Sequence, residues 1–278
     1  MKKLSFAILG VGRIGKIHAS NIAINKNCRI ECIYDINKVQ ANKVADLFGG
    51  KVVPTPIEAI SNPIVDAVFI CSSTPTHTQY ILNAAKEGKA IFCEKPIDLD
   101  IAKVNKCREE LKQYNVPIHI GFNRRFDPSH LSAIERKNAG EIGKLEQIVI
   151  TSRDPSGPSA EYLKSSGGMF RDMTIHDFDY INFILQNDKV VEIFAKGERL
   201  FSKEAKIAKD IDTAMIILKS ESGVLCHINN SRHASYGYDQ RIELFGDKGM
   251  LISDNLRISS VKKYDSECKR TIGVLTKV

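Results

Sequence analysis

Six residues near the start of the chain limit its fold more than any other feature. Gly10-Val11-Gly12-Arg13-Ile14-Gly15 fits G-x-G-x-x-G, between an apolar run at Leu4–Leu9 and helical spacing from Gly15 to Asn25. In a strand–loop–helix passage of this kind, Gly10 permits a tight turn and Gly12 lets the backbone approach a pyrophosphate. Gly15 lets the helix pack close to the strand, and Arg13 and Ile14 complete the loop. The unpaired N–H groups and the dipole of the helix start favour an anion. Asp35 closes the next apolar run, 20 residues after Gly15. A carboxylate there accepts hydrogen bonds from ribose hydroxyls and repels a 2′-phosphate, so NAD is expected over NADP.

The first 120 residues alternate apolar runs with helical patterns. Strands are expected at Leu4–Leu9, Arg29–Asp35, Val65–Cys71, Ala90–Cys93 and Pro117–Gly121, and helices at Lys38–Phe48, Pro75–Glu87 and Asp100–Tyr114. Continuous apolar strands between helices indicate βαβ units around a parallel sheet. After about Asn123 the rhythm changes to closely spaced strands near 145–153, 190–199, 211–219, 223–232, 240–246 and 250–253, with a further strand placed at Leu256–Val261. A single helix, Thr174–Leu185, interrupts them. The expectation is an α/β chain of two domains: a dinucleotide-binding domain at 1–122, and an α+β domain on a mostly antiparallel sheet at 123–278.

Composition removes other classes. The 278 residues carry 40 Lys plus Arg against 33 Asp plus Glu, a net +7 spread along the chain without a basic block, so no nucleic-acid partner is expected. No apolar run is long enough to span a membrane, and the N-terminal apolar stretch stops at Gly10 without a cleavage site. Seven cysteines, an odd number without zinc spacing, suggest reduced thiols and a cytoplasmic setting.

Three further segments carry chemistry-bearing side chains. Cys71-Ser72-Ser73-Thr74-Pro75-Thr76-His77 follows a strand at the end that lines the ligand crevice of a parallel sheet; Thr76 and His77 read equally as cofactor contacts and as helix caps. Glu94-Lys95-Pro96 follows another strand at the same end, where Lys95 is a crevice cation or a solvated lysine. Asp172 and His176 are four apart, with Asp179 continuing that helical face. A histidine beside carboxylates accepts a proton near neutral pH. The competing reading makes Asp172 an N-terminal cap and His176 a buried polar residue. No second histidine stands at metal spacing, so no metal is expected.

In order, G-V-G-R-I-G, T-P-T-H-T-Q-Y, C-E-K-P, G-F-N-R-R-F-D and G-G-M-F-R-D-M-T-I-H-D-F-D resemble the glucose–fructose oxidoreductase / inositol dehydrogenase / rhizopine-catabolism family, from near residue 3 to about residue 258. Within it, I-T-S-R-D-P at 150–155, F-R-D-M-T-I-H-D-F-D at 170–179 and S-Y-G-Y-D-Q-R-I-E-L-F-G at 235–246 are most similar to inositol 2-dehydrogenases. The resemblance implies a Rossmann domain holding NAD through the glycine loop, Asp35, Ser73, Thr74, Pro75, His77, Glu94, Lys95 and Asn123. It implies that Lys95 bonds the reacting hydroxyl, that His176 takes its proton and that Asp172 holds the substrate. Arg125, Asp154 and Tyr236 would complete the substrate site. The implied reaction oxidises a polyol, myo-inositol first, and the implied assembly is a homotetramer. Alternatives are another cyclic polyol or sugar, a non-catalytic NAD-binding regulator, or a truncated inactive member, since the C-terminus is expected to be short for the family.

Overall fold

The computed structural model describes residues 3–255. The chain divides into two compact units between Phe122 and Asn123.

The first unit runs β1 (Leu4–Leu9), α1 (Arg13–Ile24), β2 (Cys28–Tyr34), α2 (Lys38–Phe48), β3 (Lys51–Val52), α3 (Pro56–Ile60), β4 (Ala67–Ile70), α4 (His77–Lys86), β5 (Ala90–Cys93), α5 (Ile101–Leu111) and β6 (Ile118–Ile120). Its strands lie in the order β3-β2-β1-β4-β5-β6, all parallel. The apolar runs follow from burial on both faces. Ala7 and Leu9 pack into one core, and Ile8, between them, packs into another with Ala19, Ile22 and Val44. The order reverses between β1 and β4, the switch point at which α/β sheets bind ligands. β3 and α3 lie outside the expected elements. A two-residue strand and a five-residue helix are too short to show a period, although Thr55 caps α3 by accepting from the Glu58 N–H.

The second unit holds α6 (Pro128–Asn138), β7 (Leu145–Arg153), α7 (Ala160–Ser166), α8 (Ile175–Leu185), β8 (Val190–Glu198), α9 (Lys203–Ala208), β9 (Thr213–Ser220), β10 (Leu225–Ser231), β11 (Asp239–Gly246) and β12 (Gly249–Ser253). The sheet order is β12-β11-β7-β10-β9-β8. β7 and β10 pair in parallel and the other pairs are antiparallel, as a mostly antiparallel sheet requires. The expectation of one helix is corrected: α6, α7 and α9 also form. α7 and α9 are short, α6 is mostly polar, and α9 buries only Ala205, so capping by Asp127, Ser159 and Ser202 marks them better than periodicity. The expected strand at 256–261 lies outside the described residues.

One sheet face is the core. Ile148, Ile150, Ile216, Ile228 and Leu244 are buried there with Tyr180, Ile181 and Ile184 of α8. The strand registers place Phe194, Met215, Ile217, Leu225, Phe245, Met250 and Ile252 on the opposite face, where all are exposed. Among the described residues, no helix is long and apolar enough to cross a membrane.

Candidate active site

The glycine loop follows β1 at the switch point. Gly10 has φ 90°, and a Cβ on it would stand 2.6 Å from the Ser72 backbone. A Cβ on Gly15 would stand 2.0 Å from the Gly10 carbonyl oxygen, so close packing of loop and helix requires glycine. Gly12 is different: a Cβ there would meet nothing within 4 Å. Gly12 is also the N-cap of α1, with no side-chain cap and no acidic residue in the first turn. The helix start therefore keeps its orphan N–H groups and an open approach, which fits a dinucleotide pyrophosphate. Arg13 is exposed beside it and Ile14 half-buried.

Asp35 ties the second strand to this loop. Its Oδ2 accepts from the Val11 N–H at 2.7 Å and its Oδ1 from the Asn37 N–H at 2.7 Å. Each oxygen retains a further lone pair, so a ribose diol fits the same carboxylate.

In the loop after β4, polar atoms are spent largely on the loop itself. Thr76 Oγ1 lies 2.6 Å from Ser72 Oγ and donates to the Ser73 carbonyl at 2.8 Å. His77 is buried, with Nδ1 2.8 Å from the Pro96 carbonyl oxygen and Nε2 2.9 Å from that of Ser72. The ring is thus a brace between two loops, and its reach toward a cofactor goes through the loop it holds. Ser73 and Pro75 are exposed and Thr74 half-buried in a single helical turn. Beyond β5, the Glu94 carboxylate faces His18 Nε2 at 2.8 Å, and half-buried Lys95 precedes Pro96 through a cis peptide.

In the second unit, Asn123 is exposed in the turn Asn123–Phe126. The two arginines after it face two carboxylates of α8. Arg124 pairs with Asp177 and donates to Ser152 Oγ at 2.9 Å; Arg125 Nε donates to Asp179 Oδ2 at 2.8 Å, with its plane over Phe183. Asp177 is fully buried and also accepts from Ser152 Oγ and Asn230 Nδ2. Sequence reasoning missed this network, although the pairs Arg124-Arg125 and Asp177/Asp179 were a visible signal. It also corrects the single acidic face: Asp179 turns to Arg125, not along the line of Asp172.

Asp172 is not an N-terminal cap. It is buried in a π-turn, Phe170–Thr174, ahead of α8. It accepts from Tyr162 Oη at 2.8 Å and from Arg232 Nη2 at 2.9 Å. Arg232, itself 5% exposed, also lies 3.5 Å from Asp154 Oδ2. Burial raises the Asp154 carboxyl above its ordinary value, against the opposing pull of Arg232 and Arg124. Arg232 was not legible in sequence, since it lies 60 and 78 residues from its partners; Tyr162 is only 10 residues from Asp172, but no helical or strand period links the two. His176 is half-buried one turn after Asp172. Tyr236 is exposed and donates to Asp239 Oδ2 at 2.6 Å while accepting from Arg153.

A parallel sheet in this order, with a pyrophosphate-shaped loop at its reversal and a carboxylate closing the neighbouring strand, defines a dinucleotide-binding protein. Residues 4–122 match the NAD-binding Rossmann fold of an oxidoreductase family, and residues 130–252 match the GFO/IDH/MocA C-terminal domain. The chain belongs to the GFO/IDH/MocA family; it is an NAD-dependent oxidoreductase, and NAD is its cofactor. It is 42% identical to a myo-inositol 2-dehydrogenase of Thermotoga maritima over 96% of this chain and 80% of that protein. It is 43% identical to an inositol 2-dehydrogenase of Rhizobium meliloti over 92% of this chain and 77% of that one. A scyllo-inositol dehydrogenase from Lactobacillus casei, solved with NAD(H) and scyllo-inositol bound, is 30% identical, with TM-score 0.87 over 96% of this chain and 81% of that one.

Proposed function

We propose that this chain oxidises myo-inositol at a ring hydroxyl to 2-keto-myo-inositol. NAD, when bound, supplies the hydride acceptor, held by Gly10, Gly12, Gly15, Asp35 and the loop at Ser73–His77, with Glu94 and Asn123 toward the nicotinamide end. Lys95 donates a hydrogen bond to the reacting hydroxyl oxygen and offsets negative charge as its proton leaves. His176 takes that proton while the C–H hydride departs and the C=O bond forms. Asp172 binds a neighbouring hydroxyl and stabilises the charged form of His176. Asp154, Arg125 and Tyr236 meet the other ring hydroxyls.

The observation that carries this reading is the Asp154–Arg232–Asp172 cluster, with Arg232 and Asp172 buried, Asp154 half-buried and Asp172 one turn before His176. A polyol lined by hydroxyls needs fixed acceptors and donors, and a buried arginine between two carboxylates holds both in place. A second reading, scyllo-inositol as substrate, is favoured by the L. casei relative; both alcohols give the same ketone on oxidation at this carbon. The exposed apolar sheet face supports assembly into a homotetramer by pairing of such faces. Among the described residues six cysteines are free thiols, which supports work in the reducing cytoplasm.

The test is NADH formation from NAD with myo-inositol, scyllo-inositol and glucose in parallel, with Lys95→Ala alongside. Turnover with myo-inositol that vanishes in Lys95→Ala, while NAD still raises the melting temperature, supports the reading. Faster turnover of scyllo-inositol transfers the assignment to that isomer. NAD binding without turnover of any of them overturns it in favour of a regulator or another substrate.

A further inference from the structure

Three segments of the first unit converge on one carboxylate. Glu94 stands at the end of β5, directly before Lys95. His18, in the second turn of the helix that starts at the glycine loop, places Nε2 2.8 Å from Glu94 Oε1. An ionised carboxylate only accepts, so Nε2 is the donor. Both side chains are about four-fifths buried, at 20% and 18% exposure. Gly121, just after β6, closes the other side. A Cβ on it would stand 3.0–3.1 Å from Cδ and both oxygens of Glu94, so the carboxylate packs closely against a residue without a side chain.

The His18 ring is itself fixed. It packs edge-on against Phe69 at 5.4 Å and Phe92 at 4.7 Å, and those two rings stack at 4.6 Å. Phe69 belongs to β4 and Phe92 to β5, so a two-strand aromatic shelf sets the imidazole plane. The next residue after Lys95 is held too, by the contact of His77 with the Pro96 carbonyl. Lys95 therefore sits between two residues that are each held by a histidine.

We propose that His18 is a positioning residue that acts through Glu94 to set Lys95, coupling the helix that receives the cofactor phosphates to the strand end that presents the reactive cation. This rests on the role assigned to Lys95 above. A long, flexible lysine stem loses orientation when the main chain before it is free to shift, and misplacement by about 1 Å costs on the order of 100-fold in rate. The carboxylate of Glu94 is the anchor against that shift, and the His18 N–H fixes the anchor.

The experiment compares wild type, His18→Ala, His18→Gln, Glu94→Gln and the double variant His18→Ala/Glu94→Gln, well below their melting temperatures. Three readouts are taken: kcat and KM for polyol, the Kd for NAD by calorimetry, and the rate of acetylation of Lys95 Nζ by mass spectrometry without substrate. The expected result is a kcat at least about 10-fold lower in His18→Ala, with the NAD Kd within about 3-fold and an altered Lys95 acetylation rate. His18→Gln, which keeps an N–H donor, recovers most of both. In the Glu94→Gln background, His18→Ala changes neither further. Unchanged kcat and acetylation in His18→Ala overturn the proposal, as do losses that add in the double variant or a purely thermal effect. If wild type turns over no polyol, the functional reading fails on its own, and the acetylation pattern still decides the role of His18.

Discussion

Arg232 and Asp172, 60 residues apart in the chain, meet in a buried ion pair with Nη2 2.9 Å from Oδ2. Arg232 stands just past the end of β10 and Asp172 in the π-turn ahead of α8. The pair joins the end of an interior strand of the sheet to the segment that carries His176. Asp154, next after β7, is the second carboxylate against the same guanidinium.

Removing Arg232 leaves the buried Asp172 carboxylate, and the half-buried one of Asp154, without their shared cation. Arg232→Leu is expected to destabilise by about 3–5 kcal/mol, the usual cost of breaking a buried pair from one side. Arg232→Lys restores only part of it, since a point charge cannot reach both acids as a planar fork does. Urea unfolding of the three proteins measures this; equal stability of Arg232→Leu and wild type would contradict it.

Gly12, which is open-sided, and Gly15, which is not, separate folding from cofactor binding. Gly12→Ala adds a methyl with nothing within 4 Å, so the apoprotein should melt as wild type does, while the rise in melting temperature with NAD is lost. Gly15→Ala drives a methyl onto the Gly10 carbonyl oxygen and should lower apoprotein stability as well. Thermal melts with and without NAD give both answers.

Asp35→Ala removes the acceptor for the Val11 N–H as well as the ribose contact. The affinity for NAD is expected to fall on the order of 10- to 100-fold, matching about 1.5–3 kcal/mol for hydrogen bonds to a charged group. The NADP-to-NAD affinity ratio should rise, because the charge that repels a 2′-phosphate is gone. Calorimetric titration with both dinucleotides reports the ratio.

His176→Ala should lower kcat by roughly 100- to 10,000-fold, the range ascribed to a positioned general base. NAD binding should be nearly unaffected. A kcat within a few-fold of wild type would move the proton-accepting role to another group.

Asp212 supplies a pH-dependent share of stability. Burial pushes its carboxyl up, but the backbone N–H groups of Leu200, Ser202 and Phe201 and the Thr213 hydroxyl outweigh this, and the net shift is downward from 3.8. A depressed value means that the ionised group stabilises the fold above about pH 4 and that this contribution fades as pH falls through the folded-state value. Asp212→Asn should therefore cost about 1–3 kcal/mol at pH 7. The gap to wild type should narrow in unfolding experiments at pH 3, and a constant gap would refute the linkage.

Much of the first unit was legible because its signals are local. β1, α1, β2 and α2 follow from apolar runs, a glycine turn and the Gly49-Gly50 stop, all within a few residues of what they specify. The alternation along β9, with Ala214, Ile216 and Leu218 buried and Met215 and Ile217 exposed, made the second sheet readable in the same way. α7 and α9 escaped because they are too short to show a period and α6 because it is mostly polar, and only their caps announce them.

By itself, the sequence determined the phosphate loop, the carboxylate that closes β2, the strand-end placement of Lys95 and the spacing of Asp172 from His176, since backbone geometry translates each directly. Only the tertiary structure decided which charged and hydrogen-bonding groups meet. It gave Asp179 to Arg125, Asp177 to Arg124, Asp172 to Arg232 and Glu94 to His18. Those partners lie 53 to 76 residues apart in the chain. A buried charge must find its counter-charge wherever packing brings one, and that choice is fixed by sheet order and helix placement, not by spacing along the chain.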